Sequence, residues 1–180
     1  FTGNVGNGNG SWLFDTDGTG STGTGPSGFF SGTGYIYLEA TGAPYDSVAL
    51  ISPVIDLSSA SVSAELTFNI HMFGVNMGDL STEVSTDGGT TWTVVNYLSG
   101  QYQTADTDPW LPVGVDLSAY LGQMIQIRFL ALNVGAFESD MAIDLLEVTS
   151  CVSNTACILQ DAGLIVGACT DGGTDNDTSD

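Results

Sequence analysis

Apolar and polar residues alternate along most of this 180-residue chain, and the three-to-four-residue spacing of an amphipathic helix is almost absent. A period of two places successive side chains on opposite faces of an extended backbone, so the chain is written for strands with one buried face. The clearest runs are Tyr35–Glu39, Ser47–Ser52, Ser63–Phe73, Asp79–Ser85, Thr91–Tyr97, Leu111–Asp116, Met124–Leu132 and Met141–Thr149. In the third of these, Leu66, Phe68, Ile70 and Met72 alternate with Thr67, Asn69, His71 and Phe73, which gives one apolar and one partly polar face. Asp87-Gly88-Gly89 reads as a tight hairpin, because primed turns need the positive φ that glycine tolerates. Asp116 to Gly122 is the single candidate helical turn. The sum is about ten strands in an all-β, antiparallel two-sheet sandwich.

The ends differ from the middle. Residues 1–34 are saturated with Gly, Thr and Asn and read as a long loop. Loops of that length are functional or pinned by something. After Thr149 the chain carries all three of its cysteines, Cys151, Cys157 and Cys169, in its last thirty residues. One pair can bridge, with Cys157–Cys169 or Cys151–Cys169 closing the larger loops, and one thiol is left over. The domain division expected is 1–149 for the sandwich and 150–180 for an acidic, cysteine-bearing extension. This acidic, polar tail is expected to be held by a neighbour, either as the start of a following repeat or as a strand donated to the next domain or another copy of the chain. The assembly residues on that reading are Cys157, Ile158, Leu159, Leu164, Ile165, Val166 and Cys169.

Charge narrows the function. Against 21 Asp and Glu the chain has one Arg, Arg128, and no Lys, for a formal charge of −20. Such a chain has almost nothing with which to neutralise phosphates, so nucleic acid and anionic membrane surfaces are not expected partners. Lysine chemistry is excluded outright. Repulsion among the acids is screened only beyond ~8–10 Å at physiological salt, which favours a salty, calcium-bearing exterior and hence a secreted or cell-surface location.

Several phrases resemble the MAM domain, an extracellular adhesion module with a jelly-roll sandwich. They are Thr24-Gly25-Pro26, Gly34-Tyr35-Ile36-Tyr37-Leu38-Glu39-Ala40, Ala49-Leu50-Ile51-Ser52-Pro53, Leu66 to Gly74 with Gly78-Asp79-Leu80, and Asp140-Met141-Ala142-Ile143-Asp144. They run in the family's order across roughly residues 12–148. Ser85 to Trp92 and Val115 to Gly122 look like MAM-type modules of large surface proteins from Bacteroidetes-type bacteria, and the segment after Cys157 looks like the start of a following repeat. The resemblance implies a jelly-roll, concanavalin-like sandwich working in adhesion. The sequence departs from the animal pattern where Glu65 stands in place of a family cysteine. Phe1-Thr2 and Asp144-Leu145 also replace Phe-Glu and Asp-Asp, elements that supply cation ligands in related jelly rolls.

Among the remaining constellations, a structural Ca²⁺ is the first, since hard cations want six to eight oxygens. Asp15 and Asp17, in an Asp-x-Asp-Gly fragment, and Asp140 and Asp144, on the last strand, are the candidate ligands; the bland reading makes them turn-formers and backbone acceptors. His71 is the lone imidazole, without a second ligand or nucleophile in its motif, and takes a structural role. Glu138-x-Asp140 begins like the catalytic strand of a glycosidase family but lacks the second Glu, so no catalytic residues are assigned. Tyr102, Asp106, Asp108 and Trp110 make a candidate glycan site, with aromatic platforms beside acids; the competing reading packs Trp110 under a long loop. Trp12 and Trp92 read as core or hairpin residues. Asp46-Ser47-Val48 resembles an O-glycosylation acceptor, and Asn9 and Asn176 head sequons. The expected function is a non-enzymatic extracellular adhesion or assembly module, one unit of a larger surface protein or filament docking through its C-terminal extension. The alternatives are a calcium-dependent carbohydrate-binding module and an accessory domain of a secreted hydrolase.

Overall fold

The computed structural model describes residues 1–3, 10–42 and 46–153, and the backbone of 157–159. The described strands are β1 (Thr2–Gly3), β2 (Ser11–Asp15), β3 (Tyr35–Glu39), β4 (Asp46–Ile51), β5 (Ile55–Asp56), β6 (Ser63–Met72), β7 (Asp79–Ser85), β8 (Thr93–Ser99), β9 (Leu111–Asp116), β10 (Met124–Asn133), β11 (Met141–Cys151) and β12 (Cys157–Leu159). They form two antiparallel sheets. The first runs β1-β4-β10-β7-β8, with β5 also on β10; the second runs β2-β3-β11-β6-β9, with β12 also on β11. Two single 3-10 turns, Ser118–Tyr120 and Phe137–Ser139, are the helical content of the described residues. None is long and apolar enough to cross a membrane.

The core follows from the alternation. Leu66, Phe68, Ile70 and Met72 of β6 point inward from one sheet, and Ile125, Ile127, Phe129 and Ala131 of β10 from the other. Phe68 and Phe129 meet edge-on with ring centroids 5.0 Å apart. Burying each such side chain contributes roughly 1.5–3 kcal/mol, so the sandwich needs no cross-link in its first 150 residues, which contain no cysteine. Trp12 is fully buried, and its indole Nε1 donates to the Val48 carbonyl at 3.1 Å, tying β2 of one sheet to β4 of the other.

Two departures from expectation have local causes. The strand expected from Thr91 starts at Thr93, because the Asp87 carboxylate accepts from the Thr90 and Thr91 amides and the Thr91 hydroxyl and so prolongs the turn. Gly88 and Gly89 supply its positive φ values, 71° and 87°. The stretch expected to be loop through residue 34 contains β2, a five-residue strand whose alternation is too short to read between glycines. At the other end, the backbone of Cys157–Leu159 pairs with Thr149–Cys151 of β11 in the same chain. Leu164, Ile165, Val166 and Cys169 lie outside the described residues.

The chain's one Arg is fully engaged. On the outer face of the first sheet Arg128 donates from Nε and Nη2 to the same Glu83 carboxylate oxygen, at 2.9 Å from Nε. Its guanidinium carbon lies 4.5 Å over the Trp92 ring. Ser81 donates to the other Glu83 oxygen. The hairpin tryptophan of the sequence thus stacks on the only cationic side chain.

Candidate functional site

The outer face of the second sheet is not left to solvent. Register puts Ala142 of β11 opposite Tyr37 of β3 on one side and His71 of β6 on the other. The Trp110 ring lies 5.6 Å from Tyr35, edge-on, and 5.6 Å from His71. Tyr35, Tyr37 and Ala142, with Leu13 and Trp110 against them, make a second apolar cluster outside the sandwich. His71 is fully buried there with neither ring nitrogen hydrogen-bonded, and burial lowers its pKa below the ordinary imidazole value, which favours the neutral ring. The imidazole thus packs against the Trp110 ring.

The glycine-rich segment expected to be a functional or pinned loop is pinned over this face. The Gly25 amide donates to the Phe73 carbonyl and the Ser27 amide to the Asp106 carbonyl, both at 2.9 Å, and the Tyr35 hydroxyl donates to the Asp17 carbonyl. Gly25 has φ 66°, and a Cβ there would fall 2.5 Å from the Thr19 side chain, so the crossing needs glycine. Further along, Asp144 Oδ2 accepts from the amides of Phe30 and Ser31 at 2.8 and 2.9 Å. A β-bulge between Asp144 and Glu147, with Leu145 at φ 48°, accompanies this use of Asp144.

The facing loop, 101–110, is pinned by a buried side chain. Gln103 accepts from the Met72 amide and donates to the carbonyls of Ile70 and Pro109, clamping the loop to β6. Asp108 Oδ2 accepts from the Thr104 amide and hydroxyl and the Ala105 amide, which holds its carboxyl below the usual range and keeps it anionic.

Between the two loops lies a cleft of about 320 Å³ walled by Phe29, Phe30 and Trp110 with the acids Asp106 and Asp108, and completed by Ser27, Gly28, Thr107 and Pro109. Phe29 and Phe30 are 44% and 48% exposed and stand side by side on the cleft wall. The Trp110 indole Nε1 donates to the Gly28 carbonyl at 3.3 Å, joining one wall to the other. Of the four residues expected at a glycan site, Asp106, Asp108 and Trp110 meet here. Tyr102 is exposed and lies outside the lining. Trp110 combines both sequence readings: it packs under a loop and still forms one wall. Phe29, Phe30 and Gln103 were missed. The adjacent phenylalanines in a Gly/Ser-rich stretch without alternation were the available signal; nothing local marked Gln103.

The four proposed cation ligands do not gather into one cluster, and no group of three or more His, Cys, Asp or Glu among the described residues is arranged to hold a metal. Asp15 Oδ1 caps a turn by accepting from the Thr16 and Asp17 amides, and Asp144 is occupied by backbone amides on both oxygens. Asp140 differs. It is fully buried, Oδ1 accepts from the Ala40 amide at 2.8 Å, and Oδ2 has no partner. Burial pushes its pKa up to about 7, against the Ala40 hydrogen bond, and the Glu39 charge adds to the rise. Its own amide donates to the Thr24 hydroxyl, and the Thr19 hydroxyl donates to the Thr24 carbonyl. The Thr19 hydroxyl also acts on the Asp140 carboxyl, lowering its pKa against the effect of burial.

A two-sheet antiparallel sandwich with pinned loops forming an aromatic and acidic cleft at one face is a jelly-roll module. This chain belongs to the MAM domain family (meprin/A5/mu), which matches residues 4–157. Among solved structures it is similar to the K1 cleaved adhesin domain of Lys-gingipain from Porphyromonas gingivalis: 18% identity, TM-score 0.55, over 77% of this chain and 83% of that one. The K2 cleaved adhesin domain of Lys-gingipain gives 16% identity and TM-score 0.52 over 75% and 79%. A family 29 carbohydrate-binding module complexed with mannohexaose gives a weaker likeness, 14% identity and TM-score 0.40 over 76% and 89%. At these identities the likeness to the adhesin domains establishes the shared fold.

Proposed function

We propose that this chain is a non-catalytic adhesion module of a larger extracellular protein, and that it engages its partner at the cleft between the 27–30 and 106–110 loops. The observation that carries this reading is the pair of exposed phenylalanines held beside two carboxylates by hydrogen bonds reaching from β11 and β6. A rigid sheet presenting exposed aromatic loops is the arrangement recognition modules use. Immobilised module compared with a Phe29→Ser/Phe30→Ser variant in adhesion to matrix proteins and cell surfaces tests the reading. Adhesion should fall with an unchanged thermal melt; equal adhesion by both would refute the cleft as the recognition surface.

A carbohydrate ligand is the second reading, favoured by Trp110 beside the hydroxyl-bearing Ser27 and Thr107. Two further proposals accompany the module. Ca²⁺ binds at Asp140, with Glu39 and the oxygens of Thr19 and Thr24 as its neighbours, and stabilises the pinned loop. The extension beyond Cys157 docks on a neighbouring domain or another copy, which light scattering with and without residues 160–180 would reveal as a change in particle size.

A further inference from the structure

We infer that the cleft takes a cationic side chain, Lys or Arg, of a protein partner. The inference rests on the recognition reading above and names the partner's chemistry. Its first support is the hydrogen-bond inventory of the walls. Asp106 and Asp108 are acceptors only when ionised, and Asp108 is kept ionised by three donors from Thr104 and Ala105. Several donors on the walls are already spent, the Trp110 indole on the Gly28 carbonyl, the Ser27 amide on the Asp106 carbonyl and the Phe30 amide on Asp144, which leaves the Ser27 and Thr107 hydroxyls, each able to donate or accept, against the two carboxylates. A sugar hydroxyl is donor and acceptor together and would find acceptors in excess. An ammonium or guanidinium only donates, which matches this surplus.

The aromatic composition points the same way. Phe29 and Phe30 carry no polar handle, and their ring faces, like that of Trp110, bear the negative side of the quadrupole that attracts a cation. Aliphatic stems of Lys or Arg can lie along such rings while the charged head reaches the carboxylates. The surrounding charge is complementary as well. The whole chain carries −20, its one Arg is committed to Glu83 and Trp92 on the other sheet, and His71, whose influence reaches Asp108, is buried with its neutral form favoured, so among the described residues no fixed positive charge stands against Asp106 and Asp108.

The test is nuclear magnetic resonance titration of the full chain with Nα-acetyl-lysine and Nα-acetyl-arginine amides, against the isosteric norleucine amide and a neutral mannose oligosaccharide. The cationic probes should shift the Trp110 indole and the Phe29 and Phe30 amides. Their affinity should fall about two- to fivefold in Asp106→Asn and by a similar factor in Phe29→Ala, and should weaken with added salt. Asp106→Asn leaves the backbone carbonyl that holds Ser27 in place, so its fold is preserved. Equal shifts from norleucine would overturn the cationic assignment in favour of apolar packing. Shifts from the oligosaccharide alone would overturn it in favour of sugar, leaving the recognition reading intact. No shift from any probe would overturn it too. Failure of the recognition reading is distinguishable, since the Phe29→Ser/Phe30→Ser variant would then adhere as well as the parent.

Discussion

Replacing Asp140 by Asn removes a carboxyl that burial keeps protonated up to about pH 7, and the effect should appear as a pH slope. In the unfolded chain this group titrates near its ordinary 3.8, and in the folded chain at about 7. Between those values the native state keeps a proton that the unfolded state has released. The contribution is therefore complete below about 3.8 and is lost as pH rises towards 7. At ~1.4 kcal/mol per pH unit, about two units of that loss fall between pH 5 and 8, or ~3 kcal/mol. For a chain of this length ~3 kcal/mol corresponds to roughly 6–12 °C in Tm. His71 works in the opposite sense: its lowered pKa makes the unfolded state the better proton binder, so its contribution rises with pH up to about 6.5. The wild-type curve alone would blend the two, whereas the difference between wild type and Asp140→Asn isolates Asp140. Urea unfolding at steps from pH 5 to 8 should show the variant gaining on the parent by ~3 kcal/mol, whatever constant offset the amide introduces. Parallel curves would refute the account of Asp140 as a buried, proton-holding acid. Calcium adds a further arm: if the orphaned Oδ2 anchors a cation, millimolar calcium should stabilise the parent most at high pH and leave the variant unmoved.

Three other outcomes follow from particular contacts. The Thr82 hydroxyl is buried without a partner, so Thr82→Val should raise stability by about 1 kcal/mol in a thermal melt. Asp144→Ala should accelerate amide exchange at Phe30 and Ser31 by about ten- to a hundredfold, because each loses a charged acceptor, while exchange in β6 and β10 stays as it was. Arg128→Lys keeps the charge but not the forked donors or the flat stack on Trp92, and should cost about 1–2 kcal/mol in denaturant unfolding; an unchanged midpoint would mean the contact is only Coulombic.

How much of this was legible depended on whether the signal was local. Alternation in Ser63–Phe73 and Met124–Leu132 located β6 and β10 to within a residue or so, because a half-buried strand must repeat every two positions. It did not reveal that His71 and Asn69, on the partly polar face of β6, are buried too. The ring over His71 is Trp110, a residue far away in sequence, and no period records such a contact. Asp106, Asp108 and Trp110 were readable as a site because acids and an aromatic share one short loop. The opposite wall was not, since Phe29 and Phe30 reach it only through the Asp144 carboxylate, whose distance of more than a hundred residues is set by topology.

The same contrast explains why the molecule carries its cleft where it does. The first sheet's outer face is closed with local means: a Ser–Glu–Arg chain and a tryptophan from its own hairpin. The second sheet's outer face is instead apolar at Tyr35, Tyr37 and Ala142 and requires a lid from elsewhere. That lid is a chain segment too rich in glycine to supply its own regular structure, so it is fixed point by point through Asp140, Asp144, Phe73 and Asp106. Fixing a loop in this way leaves its unused side chains outward, and in this chain those are two phenylalanines beside two carboxylates. A cost of the arrangement is the buried Asp140, whose unpaired oxygen sits at the point where the lid meets the sheet. The pH slope of Asp140→Asn and amide exchange at Phe30 in Asp144→Ala therefore measure two attachments of one lid. If the lid shapes the cleft, Asp144→Ala should weaken partner binding at the cleft even though Asp144 does not line it.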